Sequence, residues 1–175
     1  MMHTWSEEGA PLRLHELARA KDDTEPKALA CYGLLLRATP LLEEHMLLRF
    51  VTGRPLSAVT TQFLAWCCPK LQARRVTALL LVWDNASWHT SQEVRTWIRT
   101  HNRQVKQAGS GVRILVCFLP SKSPWLNPIE PKWVHGKRAV AEPKRVLAAQ
   151  ELAGRVCAYF GCAYEPHLSI PEKVS

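Results

Sequence analysis

The 175 residues hold no long apolar run, no CxxC pair, no internal repeat and no low-complexity tract. A helix that spans a bilayer needs about twenty consecutive apolar residues, so no membrane segment is expected. The opening residues, MMHTWSEEG, lack a basic stretch followed by an apolar one and do not read as a secretory signal. Six cysteines, two of them adjacent at Cys67-Cys68, are too few for a disulfide scaffold. Reduced, mostly buried thiols in a cytoplasmic protein are the expectation. His89 and His135 stand too far apart from other ligand types to suggest zinc. What remains is 47% apolar and 22% charged, which excludes global disorder and suits one domain with a sizeable core.

The formal net charge is +8, and it is regional. Residues 91–145 hold eleven lysines and arginines against three glutamates, while the rest of the chain holds twelve charges of each sign. A concentrated positive field suits a polyanion better than a small acidic substrate, though an ordinary solvated face carries the same pattern. Phosphate contacts position a protein on nucleic acid without reading sequence.

Residues 28–37 and 47–51 read as strands, with a further short strand near Pro11 to His15. Residues 56–73 carry Leu56, Val59, Phe63, Trp66 and Leu71 on one helical face, with Pro69 weakening the end. Val76 to Trp83 is almost wholly apolar, as expected for a strand covered on both faces. Thr90 with Glu93 predicts a capping box, followed by Val94, Trp97, Ile98, His101 and Val105 at helical spacing. Gly109-Ser110-Gly111 stops that helix, and Val112 to Leu119 predicts a second buried strand. A helix is expected from about Pro128 and another over 146–160, with a loop-like tail from Gly161. Cys31, Cys117 and Cys157 lie in apolar runs and read as buried small hydrophobes. Trp66 and Trp97 read as core, while Trp88 and Trp125 lie in loops where they pack or stack on a base.

Alternating strands and helices mean an α/β layer architecture, and the crossover length predicts parallel pairing of 76–83 with 112–119. Sites in open α/β sheets form beyond the C-terminal ends of strands. Asp84 stands at one such end. Glu130 falls in the first turn of the helix that follows the other. Two converging carboxylates suit magnesium or manganese, one or two ions, in phosphodiester chemistry. Read alone, Asp84 is equally a turn cap and Glu130 a favourable anion at a helix start.

The segments LLLVWDNASWHTSQEV and VRILVCFLPSKSPWLNPIEPKW resemble the DDE superfamily of endonucleases, specifically the mariner-related insertion-sequence transposases. The resemblance implies a ribonuclease-H-like mixed sheet with flanking helices that cuts and joins DNA with divalent metal. Asp84 matches the second catalytic acid and Glu130 the third, both as metal ligands. Asn85 and His89 match the turn beside the second acid, with His89 either on a phosphate or holding the turn. Pro124, Asn127 and Pro128 match the loop that presents the third, with Asn127 able to cap its helix. Trp133 matches an aromatic position after the glutamate. Lys122, Lys132, Lys137 and Arg138 are candidate DNA contacts. No apolar strand carrying a first acid precedes Trp5, and Glu7, Glu8, Asp22 and Asp23 lie in polar contexts. The expectation is therefore a single partial catalytic domain over 1–175, with core motifs at 76–145. It lacks the first strand of the core and the N-terminal helix-turn-helix region, and it is weakly active or inactive alone. Implied partners are DNA, further copies of itself and an intact or complementary transposase chain in the bacterial cytoplasm, at the nucleoid when DNA-bound. The alternatives are a non-catalytic DNA-binding remnant and an interaction protein.

Overall fold

The computed structural model describes residues 3–5, 11–13, 28–40, 42–141 and 147–170, the first two stretches by backbone alone. Two short strands, β1 (His3–Trp5) and β2 (Pro11–Arg13), pair antiparallel. β3 (Leu29–Leu36) and β4 (His45–Thr52) form a second antiparallel pair, with Leu29 opposite Thr52 and Leu36 opposite His45. Helix α1 (Ser57–Ala73) leads to β5 (Ala78–Trp83). The one-turn α2 (Ser87–Thr90) and α3 (Gln92–Ala108) lead on to β6 (Arg113–Phe118). β6 pairs with β5 in parallel, Leu79 against Ile114 and Trp83 against Phe118. A 3-10 turn (Pro124–Leu126), α4 (Ile129–Val140) and α5 (Ala149–Phe160) complete the order. The strand-helix alternation and the parallel pair are as the sequence predicts. No helix among the described residues is long and apolar enough to cross a membrane.

Local chemistry explains most boundaries. The cap of α3 is Ser91, whose hydroxyl accepts from Val94 N at 3.2 Å, and not Thr90. Thr90 closes α2 instead, its hydroxyl donating to Ala86 O at 3.2 Å. Gly109 ends α3 at φ +64°, the left-handed conformation that glycine adopts without a Cβ penalty. Pro69 does not shorten α1. Pro69 and Ala65 are both exposed, so water can serve the Ala65 carbonyl left without a donor.

α1 and α3 cover one side of both strand pairs, where Tyr32, Val51, Val59, Phe63, Leu81 and Val94 share the larger core. The Tyr32 hydroxyl donates to Leu56 O at 3.1 Å and accepts from Leu56 N at 2.8 Å, fastening β3 to the start of α1. On the other side α5 and α4 meet Met46, Leu48 and Phe50 of β4 in a smaller core. β4 is thus buried on both faces, and β5 is not. Leu79, Leu81 and Trp83 are buried, whereas Leu80 is 65% exposed and Val82 38%. The expectation of a doubly covered strand fails here because α4 and α5 lie over β3–β4, and no described element covers the second face of β5–β6. Of the cysteines, all free, Cys67, Cys68 and Cys157 are buried, but Cys31 and Cys117 reach solvent. Cys117 lies opposite Val82 on the same uncovered face.

The tail to residue 170 crosses the outer edge of β4 and returns to α1. Leu168 N donates to Phe50 O at 2.7 Å, and Gln62 Nε2 to Ser169 O at 2.9 Å. Glu165 accepts from Trp66 Nε1 at 2.8 Å and from Lys70 Nζ at 2.9 Å, with Arg49 at 3.5 Å. Trp66 carries the Arg49 and Lys70 cations 5.0 and 4.6 Å from its ring centre, so it packs and is not a free stacking surface. Partial burial pulls the Glu165 carboxyl upward. The Lys70 and Trp66 hydrogen bonds with the Lys70 and Arg49 charges outweigh that and hold it below the ordinary carboxylate range. A depressed carboxyl stabilises the fold above the unfolded-state value, and that contribution is lost as pH falls through the folded one. Glu165→Gln is therefore expected to cost about 1–2 kcal/mol at neutral pH. In urea titrations the gap between variant and parent should close on acidification; a gap that persists at pH 3 would assign the loss to packing.

Candidate functional site

The end of β5 is fixed by three interactions before any ligand is considered. Leu119 N donates to Trp83 O at 3.0 Å, continuing the parallel ladder. Asn85 Nδ2 donates to Leu119 O at 2.7 Å, so the side chain following Asp84 ties the ends of β5 and β6 together. Asp84 Oδ1 accepts from Ala86 N at 3.0 Å and from His89 Nδ1 at 2.8 Å. The His89 ring stacks on Trp83 at 4.6 Å and 10° between planes. Of the two roles expected for His89, its contacts are those of the one that holds the turn. The hydrogen bond requires the proton on Nδ1, because an ionised carboxylate only accepts. Asp84 is left half-exposed, with one oxygen committed to the turn and the other without a described partner.

Glu130 sits in the first turn of α4, as the sequence predicts. Its amide donates to Asn127 O at 3.0 Å, and Asn127 Oδ1 lies 3.5 Å from Ile129 N, a long capping contact. No described side chain pairs with the Glu130 carboxylate. Asp84 and Glu130 line the same cleft of ≈ 460 Å³, together with Trp88, Asn127 and His89. Its floor and walls are apolar residues of β3, β5, α1 and α4. Cys31 opens into it and is solvent-accessible, yet so surrounded by protein that desolvation, with Cys157 and Cys162 nearby, pushes its thiol up to about 12. Such a thiol is a poor nucleophile.

The expected basic contacts divide. Lys137 and Arg138 are exposed in the last turn of α4, and Lys122 is exposed at φ +58° in the loop after β6. Lys132 is paired instead, its Nζ 2.5 Å from Glu44 Oε1, which holds the Glu44 carboxyl below its usual range. Trp125 is 74% exposed in the 3-10 turn before α4. Neither the Glu44–Lys132 pair nor the Trp83 indole under His89 is legible in the sequence. No local pattern signals the first. The second hides inside an apolar strand run.

A family model described as DDE superfamily endonuclease matches residues 44–153. The chain belongs to the DDE superfamily of endonucleases. The matched span contains Asp84, Asn85, His89, Lys122, Asn127, Glu130, Lys132, Lys137 and Arg138, and it begins after β3. The mixed α/β arrangement, small sheets with flanking helices, is consistent with the ribonuclease-H-like fold of DDE endonucleases. Neither a curated protein nor a solved structure matches the chain. Among the described residues, no group of three or more histidine, cysteine, aspartate or glutamate side chains is assembled to hold a metal. Asp84 and Glu130 border that cleft, and carboxylates are the ligand type a hard cation takes beside water or phosphate oxygens.

Proposed function

We propose that this chain is the catalytic-core portion of a mariner-related insertion-sequence transposase, a partial domain acting on DNA phosphodiester bonds. The observation that carries this reading is that Asp84, at the end of β5, and Glu130, on the first turn of α4, border one cleft. Magnesium or manganese would be held by Asp84 and Glu130. When bound, the ion would supply Lewis-acid activation of the phosphodiester and of the water or 3′-hydroxyl that attacks it. His89 keeps Asp84 oriented by donating from Nδ1. Asn85 holds the strand end in register, and Asn127 sets the start of the helix bearing Glu130. Lys122, Lys137 and Arg138 would contact backbone phosphates. Lys132 would do so only on leaving Glu44. In the related enzymes a further acid stands on the first strand of the core. A chain acting with two carboxylates would be weak or inactive alone, and would gain from a complementary transposase chain.

A second reading, a DNA-binding remnant without chemistry, is favoured by the lack of a three-ligand cluster among the described residues. Nicking of supercoiled plasmid separates the two. The catalytic reading expects magnesium- or manganese-dependent nicking that Asp84→Ala and Glu130→Ala each abolish. DNA affinity should survive in both, falling steeply with salt as phosphate contacts release counterions. Nicking unchanged in both variants would remove these residues from the site, and salt-independent binding would remove DNA as the ligand.

A further inference from the structure

We propose that the cleft between β3 and β5 is a strand-acceptor slot, which takes up an extended apolar segment of about six residues from outside these 175. Insertion needs no metal at Asp84 and Glu130, so it stands or falls apart from the catalytic reading.

The backbone directions follow from the hydrogen bonds. Gly53 N donates to Ala28 O at 2.8 Å, which with the β3–β4 register makes the even-numbered residues of β3 the hydrogen-bonded ones. Phe50 of β4 confirms the alternation, since it lies opposite Cys31 and its carbonyl turns outward to Leu168 N. The amides and carbonyls of Cys31, Gly33 and Leu35 therefore point away from β4. In β5, the Thr77 and Trp83 carbonyls accept from Arg113 and Leu119, so the groups of Leu80 and Val82 point away from β6. All five of these residues line the one cleft. None has a backbone partner among the described residues. A sheet face shows alternate residues to a cavity, whereas an edge shows consecutive ones. This cleft is lined by consecutive residues of both strands, 31–35 and 79–84.

The remaining walls are helical. Phe63 and Leu64 of α1, and Ile129 and Trp133 of α4, line the cleft from their own elements. Two unpaired backbone edges and two apolar helical walls are the surroundings of a central strand. Only another strand satisfies both edges at once. Because both of its faces would meet apolar side chains, the incoming run is continuously apolar, not alternating. Its length follows β5, which has six residues.

The chain has no spare segment of that kind. The stretch 14–27, LHELARAKDDTEPK, holds seven charged residues and never more than two apolar ones in succession. A second copy offers the same repertoire, with its apolar strands already paired.

The test is hydrogen exchange on the full chain with a peptide of six Val, Ile and Leu residues between pairs of lysines. The amides of Gly33, Leu35, Leu80 and Val82 are expected to exchange freely without peptide and at least about tenfold more slowly with it. A peptide of the same sequence, N-methylated at every residue of the apolar run so that neither edge can pair, should give no slowing, and it leaves the protein unaltered. Leu80→Pro, which removes an amide that makes no described bond, should retain the fold by circular dichroism and lose the response. Three results would overturn the slot. One is no slowing with peptide, and another is equal slowing with the N-methylated peptide. The third is protection before peptide is added: at all concentrations it would mean the chain covers its own edges, and rising with protein concentration it would mean a second copy does.

Discussion

Asn102→Ala is expected to lower the free energy of unfolding by roughly 2–4 kcal/mol, a large change for a residue far from the acidic cleft. Asn102 Nδ2 donates to Ile114 O at 2.8 Å, and Ile114 N donates back to Asn102 Oδ1 at 2.8 Å. The primary amide on α3 thus substitutes for a neighbouring strand at the outer edge of β6. His101 reinforces it one residue earlier, its Nε2 2.8 Å from Val112 O. Ile114 is 2% exposed, so water does not replace the lost side chain. Alanine orphans one donor and one acceptor, each costing about 1–3 kcal/mol. Urea denaturation measures this directly. A loss below about 1 kcal/mol would show that water reaches this edge and replaces the lost amide.

Gly33→Ala is expected to cost about 1–3 kcal/mol and to disturb the site from a distance. A Cβ at Gly33 would stand 2.4 Å from Trp133 Cζ2 and 2.7 Å from Cη2, with Leu48 Cδ2 at 3.2 Å behind. Trp133 has little room to retreat, since its ring meets Phe160 edge-on at 5.5 Å. Relief must come from movement of α4, the helix that carries Glu130 three residues earlier. Trp133→Phe deletes both clashing atoms. The double variant should therefore be more stable than the sum of the single losses, a non-additivity expected only of residues in contact. Strict additivity in thermal melts would mean that the clash is absorbed elsewhere.

These two positions show where sequence reading succeeds and where it stops. Asp84 and Glu130 could be placed at the ends of elements because strand runs, breakers and helix starts are local signals. Trp133 was visible as an aromatic after Glu130, and Asn85 as part of a turn. That Asn85 bonds Leu119, and that Trp133 fills the space above Gly33, depends on which strands lie side by side, which no spacing encodes. Asn102 gave no signal, because a polar residue mid-helix normally faces water. The shortfall at β5 has the same origin. An apolar run reports that burial is suited to both faces, not that neighbours are present to provide it. Leu80 and Val82 carry the sequence of a central strand in the position of an edge.

The obstruction of the outer edges by Asn102 and by Leu168 sets a stoichiometry. Exposed apolar strand edges ordinarily template further chains without limit, which is how ribbons and fibrils grow. Here a newcomer cannot lie along the outside of β6 or β4 without first displacing the asparagine or the tail. Adhesion is confined to the interior, where one guest fills the vacancy and leaves nothing for the next, so uptake terminates instead of propagating.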